Sequence, residues 1–598
     1  MDSTLPVTHM ATPGFHAPSI PKRIIVCCDG TWMDALGKNG AYEPPSNVSR
    51  IARVLRRTCS DGTHQIINYY AGVGTGTSSL DHITGGAFGM GLDQDIRQVY
   101  NFISTNYVDG DSIVLIGFSR GAFTARSVAD MIGSIGLLTP EGLDCFYTVF
   151  DDYENIGDKH RKAEEFLIPG LQPYNKERGR AKIEWEKARM LKYKQGLKAL
   201  KYTRDTYQDG VTEIRIKAIA VWDTVGTLGI PPAPVIGVRG SADQWKFTST
   251  QISNHVEHAF QALALDEPRF AFRPALWERA ADSTTKLKQV WFPGNHGNVG
   301  GSWYDQQIAD ITLAWMCDQL STLGLEFNVS RMEATFLSDL RYSAAHPFPF
   351  APAGPSILPQ KIGNLFRSSK PLPWATEEVF HTSASPKRDS GECDRKDKHP
   401  EGPTKKLWQN ARAWGLGMIR YPTSVTVLAG KVVRRPGLSM RVDEDTNEDT
   451  PEPLLYTNES IHSCVRVRLA CKGLGMDDKE VWTCDSLKGS DGKQLWVLEK
   501  GSGFSEDEEQ AIREFQPREP QIAPDEYQPR LMYPSTREDT AWRWKYVGPV
   551  KGEGDAQVPQ SKVLPEEPLV GYWERFLLGM FANEPDVWKF AQRALPLA

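Results

Sequence analysis

Short apolar runs and longer helical patterns alternate through the first half of the chain. Apolar runs rich in β-branched residues predict five strands, at 24–28, 65–70, 113–116, 213–222 and 286–292. Apolar positions three and four apart predict helices beginning near 47 and covering 93–106, 122–135, 251–265 and 305–320. This alternation is typical of an α/β fold, in which a mostly parallel sheet carries helices on both faces.

Two regions interrupt the alternation. Residues 140–210 are charged, lack strand signals and predict a helical insert. Beyond about residue 325 the pattern weakens, with a disordered loop predicted at 382–406 and an amphipathic helix at 572–595. The resulting division is a disordered leader over 1–21, an α/β domain over 22–325 and an irregular extension over 326–598.

Composition narrows the class of protein. The chain has 598 residues, of which 40% are hydrophobic and 24% charged, and its net charge of −6 gives no sign of nucleic-acid binding. No apolar run approaches the roughly 18 residues of a membrane span. The N-terminus has neither the basic start nor the apolar core of a secretory signal. Nine cysteines without a C-x-x-C pair fit a reducing compartment, so we expect a cytoplasmic protein.

The strand at 113–116 runs into Gly117-Phe118-Ser119-Arg120-Gly121 and then into the helix at 122–135. A G-x-S-x-G between a strand and a helix is the context of a nucleophile elbow, which exposes the serine hydroxyl at a helix N-terminus. Small residues at 117 and 121 keep side chains out of the tight turn, and the Arg120 N–H points at an oxyanion. The alternative is that Ser119 only caps the helix.

Ser119, Asp223 and His296 each follow a predicted strand, and they occur in the chain order of α/β-hydrolase triads. We predict that Ser119 is the nucleophile, His296 the base and Asp223 the carboxylate, with the His296 ring within hydrogen-bond reach of both partners. The alternatives are a turn-capping aspartate and a structural histidine, and Asp266 is the reserve carboxylate.

Three other sites compete for a function. His255 and His258 lie three apart on a predicted helix, but no third ligand is near in sequence, so no metal is predicted. The glycines at 72–76 lack the spacing of a nucleotide loop, so no cofactor is predicted either. The loop 27–31 resembles a phosphatase nucleophile loop but has Cys27 in place of the aspartate. We instead predict that Gly30 or Thr31 supplies the second oxyanion donor beside Arg120.

Six segments together resemble one protein family. They are Cys28 to Trp32, the Pro/Ser/Asn-Val helix start near 47, Tyr70 to Gly76, Gly117 to Ala122, Val221 to Gly226 and Phe292 to His296. In this order they resemble the type VI lipase effector-like α/β-hydrolase family over residues 22–323. The resemblance implies an α/β-hydrolase-like fold and a serine hydrolase, with characterised bacterial members acting as phospholipases. It also implies the triad Ser119, Asp223 and His296, although Met33 and Asn298 differ from residues frequent in the family.

The sequence therefore predicts a hydrolase of carboxylic esters, of the lipase or phospholipase kind, that forms an acyl-Ser119 intermediate. The alternative is a non-catalytic protein that uses the fold to bind a lipid or protein partner. Residues 159–204 carry nine Lys and five Arg against five Glu, with Ile183, Met190, Tyr193, Leu197 and Leu200 spaced as one helix stripe. This basic insert predicts contact with an anionic membrane, with a solvated helix packed on the domain as the alternative.

Overall fold

The computed structural model describes most of the predicted hydrolase domain and parts of the extension. The described residues are 20–30, 33, 44–72, 87–177, 179–225, 250–346, 350–351, 370–371, 411–422, 431–442, 449–500, 542–549, 558–569, 571–580 and 591. Most of the predicted leader, Thr31, most of the glycine loop at 72–76 and the loop at 382–406 lie outside them.

Strands alternate with helices over residues 23–135, and runs of helices and of strands follow up to residue 345. The strands are β1 Arg23–Cys28, β2 Gln65–Tyr70, β3 Ser112–Phe118, β4 Leu137–Leu138, β5 Thr203–Arg204, β6 Ile216–Trp222, β7 Val256–Ala264, β8 Lys286–Phe292, β9 Phe350–Ala351, β10 Lys370–Pro371, β11 Met440–Val442, β12 Asp449–Pro453, β13 Glu459–His462, β14 Trp496–Lys500, β15 Trp542–Tyr546 and β16 Val563–Glu567. The helices are α1 Asn47–Val54, α2 Ala87–Asn106, α3 Arg120–Ile135, α4 Pro140–Leu143, α5 Phe146–Glu154, α6 Arg180–Ala199, α7 His296–Gly300, α8 Gln307–Ser321, α9 Val329–Ala345, α10 Ser463–Ala470 and α11 Tyr572–Gly579.

Ten strands of the described residues form one central sheet in the order β14-β15-β16-β13-β8-β7-β6-β3-β1-β2. All neighbouring strands from β16 to β2 are parallel, and β15 and β14 continue the sheet antiparallel. Apolar side chains of the strands pack on α1, α8, α9 and α11 on one face and on α2, α3, α5 and α6 on the other. The predicted fold class, a mostly parallel sheet with helices on both faces, is confirmed.

The order of the strands reverses between β1 and β3. From β1 the chain adds β2 on one side, and it then returns to add β3 on the other side of β1. The chain after β1 and the chain after β3 therefore lead to helices on opposite faces of the sheet, α1 and α3. Ligands of open α/β sheets bind at such a switch point. Gly30 and Ser119 follow these two strands.

The helix predicted over 251–265 is wrong, because this segment contains the strand β7. Its sequence, VEHAFQALA, is rich in residues that favour helices. In the folded chain its main chain pairs along both edges, with β6 and with β8, and most of its side chains are buried. These tertiary contacts outweigh the local helix preference. His255 and His258 thus do not share a helix, and no group of metal-ligating side chains occurs among the described residues.

The chain beyond residue 325 contributes directly to the central sheet. β13 pairs with β8 in parallel, and β16 pairs with β13. Helix α10 follows β13 directly, and β14 forms the end of the sheet on this side. The predicted helix at 572–595 begins as predicted, and α11 is described as far as Gly579. The extension therefore continues the core of the hydrolase-like domain.

The insert between α3 and β6 is helical, as predicted, and a short antiparallel pair of β4 and β5 joins its ends. Helix α6 packs on the domain through a stripe of buried side chains, namely Lys182, Trp185, Arg189, Tyr193 and Leu197. The predicted stripe is partly wrong, because Ile183 and Leu200 are 46% and 49% exposed. Leu191 is exposed as well. The helix thus presents scattered apolar side chains to solvent while holding to the domain by another face.

Two lysines of α6 form ion pairs with an aspartate of the same insert. Lys194 and Lys198 both form ion pairs with Asp205, at 3.0 and 2.7 Å. Lys187 is exposed. Contact with an anionic membrane stays a prediction, which relies on fewer unpaired lysines than the sequence indicates. None of the helices in the described ranges is both long and apolar enough to cross a bilayer.

Candidate active site

Ser119 stands at the turn between β3 and α3 in a strained backbone conformation. Its φ is 57° and its ψ is −120°, in a region that residues other than glycine rarely adopt. The main-chain N–H of Ser119 donates to the carbonyl of Trp222, at 3.1 Å, which ties the turn to the end of β6. The Ser119 side chain makes no capping hydrogen bond to α3. Its geometry is that of an elbow, and the helix-cap alternative has no support.

The two glycines of the elbow stand where no side chain fits. A Cβ at Gly117 would lie 2.5 Å from the carbonyl oxygen of Gly121, and one at Gly121 would lie 2.1 Å from that of Cys28. Both separations are far below van der Waals contact. The steric role that the sequence assigned to these glycines is confirmed, and it brings α3 directly against the end of β1.

The loop after β1 reaches Ser119. A Cβ at Gly30 would come within 3.2 Å of the Ser119 Cβ, so the two loops meet at the switch point. The Gly30 N–H donates to the Asp29 carboxylate at 2.7 Å, and this carboxylate also accepts from Ser46 and from Tyr69. Burial raises the pKa of the Cys27 thiol well above its usual range, so the thiol is neutral. Asp29 therefore orders a loop beside Ser119, and Cys27 is no nucleophile.

Asp223 and His296 meet at the carboxyl ends of β6 and β8. Asp223 directly follows β6 with a φ of 40°, and His296 begins α7. Nδ1 of His296 lies 2.6 Å from Oδ2 of Asp223, and the main-chain N–H of Ala264 donates to the other oxygen at 3.0 Å. A histidine bonded through Nδ1 to an ionised carboxylate carries its proton there and presents Nε2 as the base.

The His296 ring contacts two aromatic rings. The centroid of the Phe118 ring, in the residue before Ser119, lies 4.6 Å from that of the imidazole, and the Phe272 ring meets the imidazole edge-on at 5.0 Å. Nε2 of His296 is buried and has no hydrogen-bond partner among the described residues. The hydrogen bond between Ser119 and His296 that we expected is thus not formed. Such catalytic contacts are often long in a free enzyme and tighten when substrate binds.

Electrostatics keep Asp223 charged and His296 neutral. Burial lowers the pKa of His296 below the ordinary 6.5, and the bond to Asp223 opposes this only in part. Burial would raise the pKa of Asp223, but the positive charge of Arg434 and the bond to His296 outweigh it and hold that pKa far below its usual range. A neutral imidazole beside a carboxylate is the state that can accept a proton from a serine.

Residues 22–319 match the model of the protein family described as T6SS, Phospholipase effector Tle1-like, catalytic domain. This part of the chain belongs to that family. The match begins just before β1 and ends within α8, so it contains Ser119, Asp223 and His296 and agrees with the resemblance seen in the sequence. The residues after 319, including those that extend the sheet with β13 to β16, lie beyond the matched region.

Three known proteins are similar to parts of this chain. The uncharacterized protein YEL023C of Saccharomyces cerevisiae is 29% identical over 280 residues, which are 44% of this chain and 33% of that protein. A Tle1 effector, solved bound to the VgrG spike of the type 6 secretion system, is 14% identical, with a TM-score of 0.27 over 48% of this chain and 51% of that one. An uncharacterized protein from Pseudomonas aeruginosa is 15% identical, with a TM-score of 0.28 over 56% of this chain and 51% of that one. The chain thus covers a third of the yeast protein and about half of each solved chain.

The sequence pattern missed one residue that contacts the site of the Tle1-like domain. Arg434, in the extension, donates from both terminal nitrogens to the two oxygens of Asp223, at 2.6 and 3.0 Å. It lies 211 residues after Asp223, in a segment without a motif or a clear periodicity. Nothing local in the sequence could have identified it, because only the fold brings the two segments together.

The reserve carboxylate, Asp266, contacts other groups. It accepts hydrogen bonds from the indole of Trp482, at 2.8 Å, and from the main-chain N–H of Gly294, at 2.6 Å. Burial raises the pKa of Asp266 to about 6. Asp223 is therefore the carboxylate that contacts the His296 ring. Asp266 instead links the loop after β8 to the extension.

Proposed function

We propose that the protein is a serine hydrolase of carboxylic esters that cleaves lipid esters, in the manner of a phospholipase. The observation that carries the proposal is the 2.6 Å contact between Asp223 and His296 next to a serine held in an elbow. Membership of residues 22–319 in a family of phospholipase effector catalytic domains supports the same reaction class. In this proposal Ser119 is the nucleophile, His296 the general base and Asp223 the carboxylate that orients the imidazole.

The first half of the proposed reaction forms an acyl-enzyme. Oγ of Ser119 attacks the ester carbonyl carbon while its proton passes to Nε2 of His296, and the carbonyl oxygen becomes an oxyanion. His296 then returns that proton to the leaving alkoxide, the carbon–oxygen bond of the ester breaks, and the acyl group stays on Ser119. Asp223 accepts the Nδ1–H throughout and stabilises the imidazolium that forms in between.

The second half consumes water. His296 takes a proton from a water molecule that attacks the acyl carbon, and it returns the proton to Ser119 as the carboxylic acid leaves. In both halves the oxyanion faces the start of α3, where we assign the Arg120 N–H as one donor. For the second donor the sequence left Gly30 and Thr31 open. The Gly30 N–H donates to Asp29 at 2.7 Å, and Thr31 lies outside the described residues, so both stay candidates.

The reaction should depend on pH through His296, which must be neutral to act. Because the pKa of His296 lies below 6.5, the neutral base persists at mildly acidic pH. We expect kcat/KM for a soluble ester to fall on the acid side with a midpoint below pH 6.5, since this parameter reports groups of the free enzyme. The measurement is a rate profile over the acid range. A midpoint above that value would contradict the assigned environment of His296.

The direct test of the proposed function is product analysis with the purified full chain. We expect phospholipid vesicles to release free fatty acid and lysophospholipid, and reactions in ¹⁸O-labelled water to place the label in the fatty acid. Release of a head group in place of a fatty acid would contradict acyl transfer. Comparing vesicles with and without phosphatidylserine, at low and high salt, tests the predicted contact with an anionic surface, because attraction through lysines weakens as salt rises.

A further inference from the structure

A buried arginine from the C-terminal part of the chain holds the carboxylate of the proposed triad. Arg434 is 3% exposed, and its two terminal nitrogens each donate to one oxygen of Asp223. This paired geometry fits the planar carboxylate to the planar guanidinium and fixes the rotation of the carboxylate as well as its position. The residue lies outside the region 22–319 that matches the Tle1-like family.

The guanidinium of Arg434 is itself fixed by main-chain oxygens. One terminal nitrogen donates to the carbonyl of Ala264, at the end of β7, and the other to that of Phe272, at 2.8 and 2.5 Å. The segment before it is anchored by the Val432 N–H, which donates to the Pro268 carbonyl at 2.9 Å. Arg434 therefore bridges the end of β7, the loop that carries Phe272 and the carboxylate of Asp223.

Each carboxylate oxygen of Asp223 accepts one hydrogen bond from Arg434 and one from a second group. Oδ1 accepts from Arg434 and from the Ala264 N–H, and Oδ2 accepts from Arg434 and from Nδ1 of His296. A carboxylate this deeply buried would be costly without a paired positive charge. Arg434 supplies that charge and leaves Oδ2 directed at the imidazole.

The other charged groups near His296 largely cancel each other. The main-chain N–H of His296 donates to Glu267 at 3.2 Å, and Glu267 pairs with Arg269 through two nitrogens at 2.6 and 2.9 Å. Arg269 lowers the pKa of His296 and Glu267 raises it, so these two oppose each other, while Arg434 acts on the imidazole through the oxygens of Asp223. Without Arg434, the pair of Asp223 and His296 would bind an additional proton at a higher pH, because the nearby positive charge that opposes it would be gone.

We propose that Arg434 is a positioning residue of the active site. It directs Oδ2 of Asp223 at His296, and its charge pairs with the buried carboxylate that accepts the Nδ1–H. This inference rests on the proposed function and extends it, because it makes the C-terminal part of the chain a necessary component of the catalytic centre. The site of the Tle1-like domain is then complete only in the full chain.

The test compares Arg434→Gln and Arg434→Lys with a matched control, Arg435→Gln, in the full-length protein. Arg435 is the next residue, and its side chain donates to the Lys488 carbonyl, away from Asp223. We expect Arg434→Gln to lower kcat about 100-fold, the upper range for residues that orient a catalytic group, with little change in KM. Arg434→Lys keeps the positive charge but cannot donate to both oxygens of Asp223 at once, and we expect it to lower kcat about 10-fold. The control should behave as wild type.

The pH profile of kcat/KM separates positioning from a purely structural role, through the midpoint of its fall on the acid side, the acid limb. We expect it to move up by about one pH unit in Arg434→Gln, the size typical of losing one close charge, and to stay near wild type in Arg434→Lys. A structural role would lower the yield of folded protein and leave the limb in place. An unchanged limb in a folded Arg434→Gln variant, or equal losses in the control, would overturn the inference.

A titration of His296 tests the inference without turnover. In protein with isotope-labelled histidine, the His296 imidazole signal is assigned from a His296→Gln variant and followed against pH by NMR. We expect its midpoint to rise in Arg434→Gln and to remain unchanged in Arg435→Gln. If no ester is hydrolysed and the midpoint still rises, the proposed function fails while the electrostatic coupling of Arg434 to the pair of Asp223 and His296 stands. If esters are hydrolysed and the midpoint does not move, only the role of Arg434 fails.

Discussion

Ser119→Ala is expected to abolish ester hydrolysis and labelling by a fluorophosphonate while the protein stays folded. Loss of a triad serine removes the covalent step, and the expected decrease in kcat is on the order of 10⁶. The fold should survive, because the hydroxyl makes no capping hydrogen bond and alanine meets the same backbone strain at a φ of 57°. Labelling detected on a gel, fatty-acid release and a thermal unfolding curve measure the three parts of this prediction.

Ser127→Ala is a matched control for this variant. Ser127 lies on the same helix, α3, is fully buried, and its hydroxyl has no hydrogen-bond partner among the described residues. It should retain both labelling and turnover. If a folded Ser119→Ala protein hydrolysed esters as fast as wild type, Ser119 would not be the nucleophile. If wild type neither reacted with the probe nor released product, the alternative of a non-catalytic lipid- or protein-binding member would stand.

The second large effect is expected from Asp223→Asn and His296→Ala. Each should lower kcat by a factor on the order of 10³–10⁴ or more, and the double variant should lose little beyond the more severe single one. The reason is that both residues serve one proton transfer through the 2.6 Å contact of Nδ1 and Oδ2. Steady-state rates with a soluble ester, compared in a double-mutant cycle, measure this. Losses that multiply would assign one of the two a structural role.

Asp223→Asn should also destabilise the protein, because it leaves Arg434 buried without a counter-charge. Breaking a buried ion pair costs roughly 3–5 kcal/mol, so unfolding must be measured beside the rates. Asp266→Asn is the control for a buried aspartate of the same region. Its two oxygens accept from different donors, the Trp482 indole and the Gly294 N–H, so an amide keeps one of these hydrogen bonds and loses the other. We expect it to keep most of its activity, and a loss equal to that of Asp223→Asn would return Asp266 to the triad.

The sequence alone identified the elbow, because its signals are local. An apolar strand, two crowded glycines and a helix lie within one short segment, and the structure has β3, Ser119 and α3 in those places. Asp223 and His296 were proposed in the same way, as polar residues in the turns that follow apolar runs. The parallel character of the sheet up to β8 followed from the alternation of elements, since parallel strands need crossover connections.

Tertiary structure decided the features that depend on distant partners. The segment of β7 has a helix-favouring composition and became a strand because β6 and β8 pair with both of its edges. β13 is only four residues long and has no strand pattern of its own, yet it joins the sheet beside β8. Arg434 reached Asp223 across 211 residues. Local preferences are fractions of a kcal/mol per residue, whereas the contacts of a central strand add up over the residue pairs along both of its edges, so contacts between distant segments outweighed the local preference of β7.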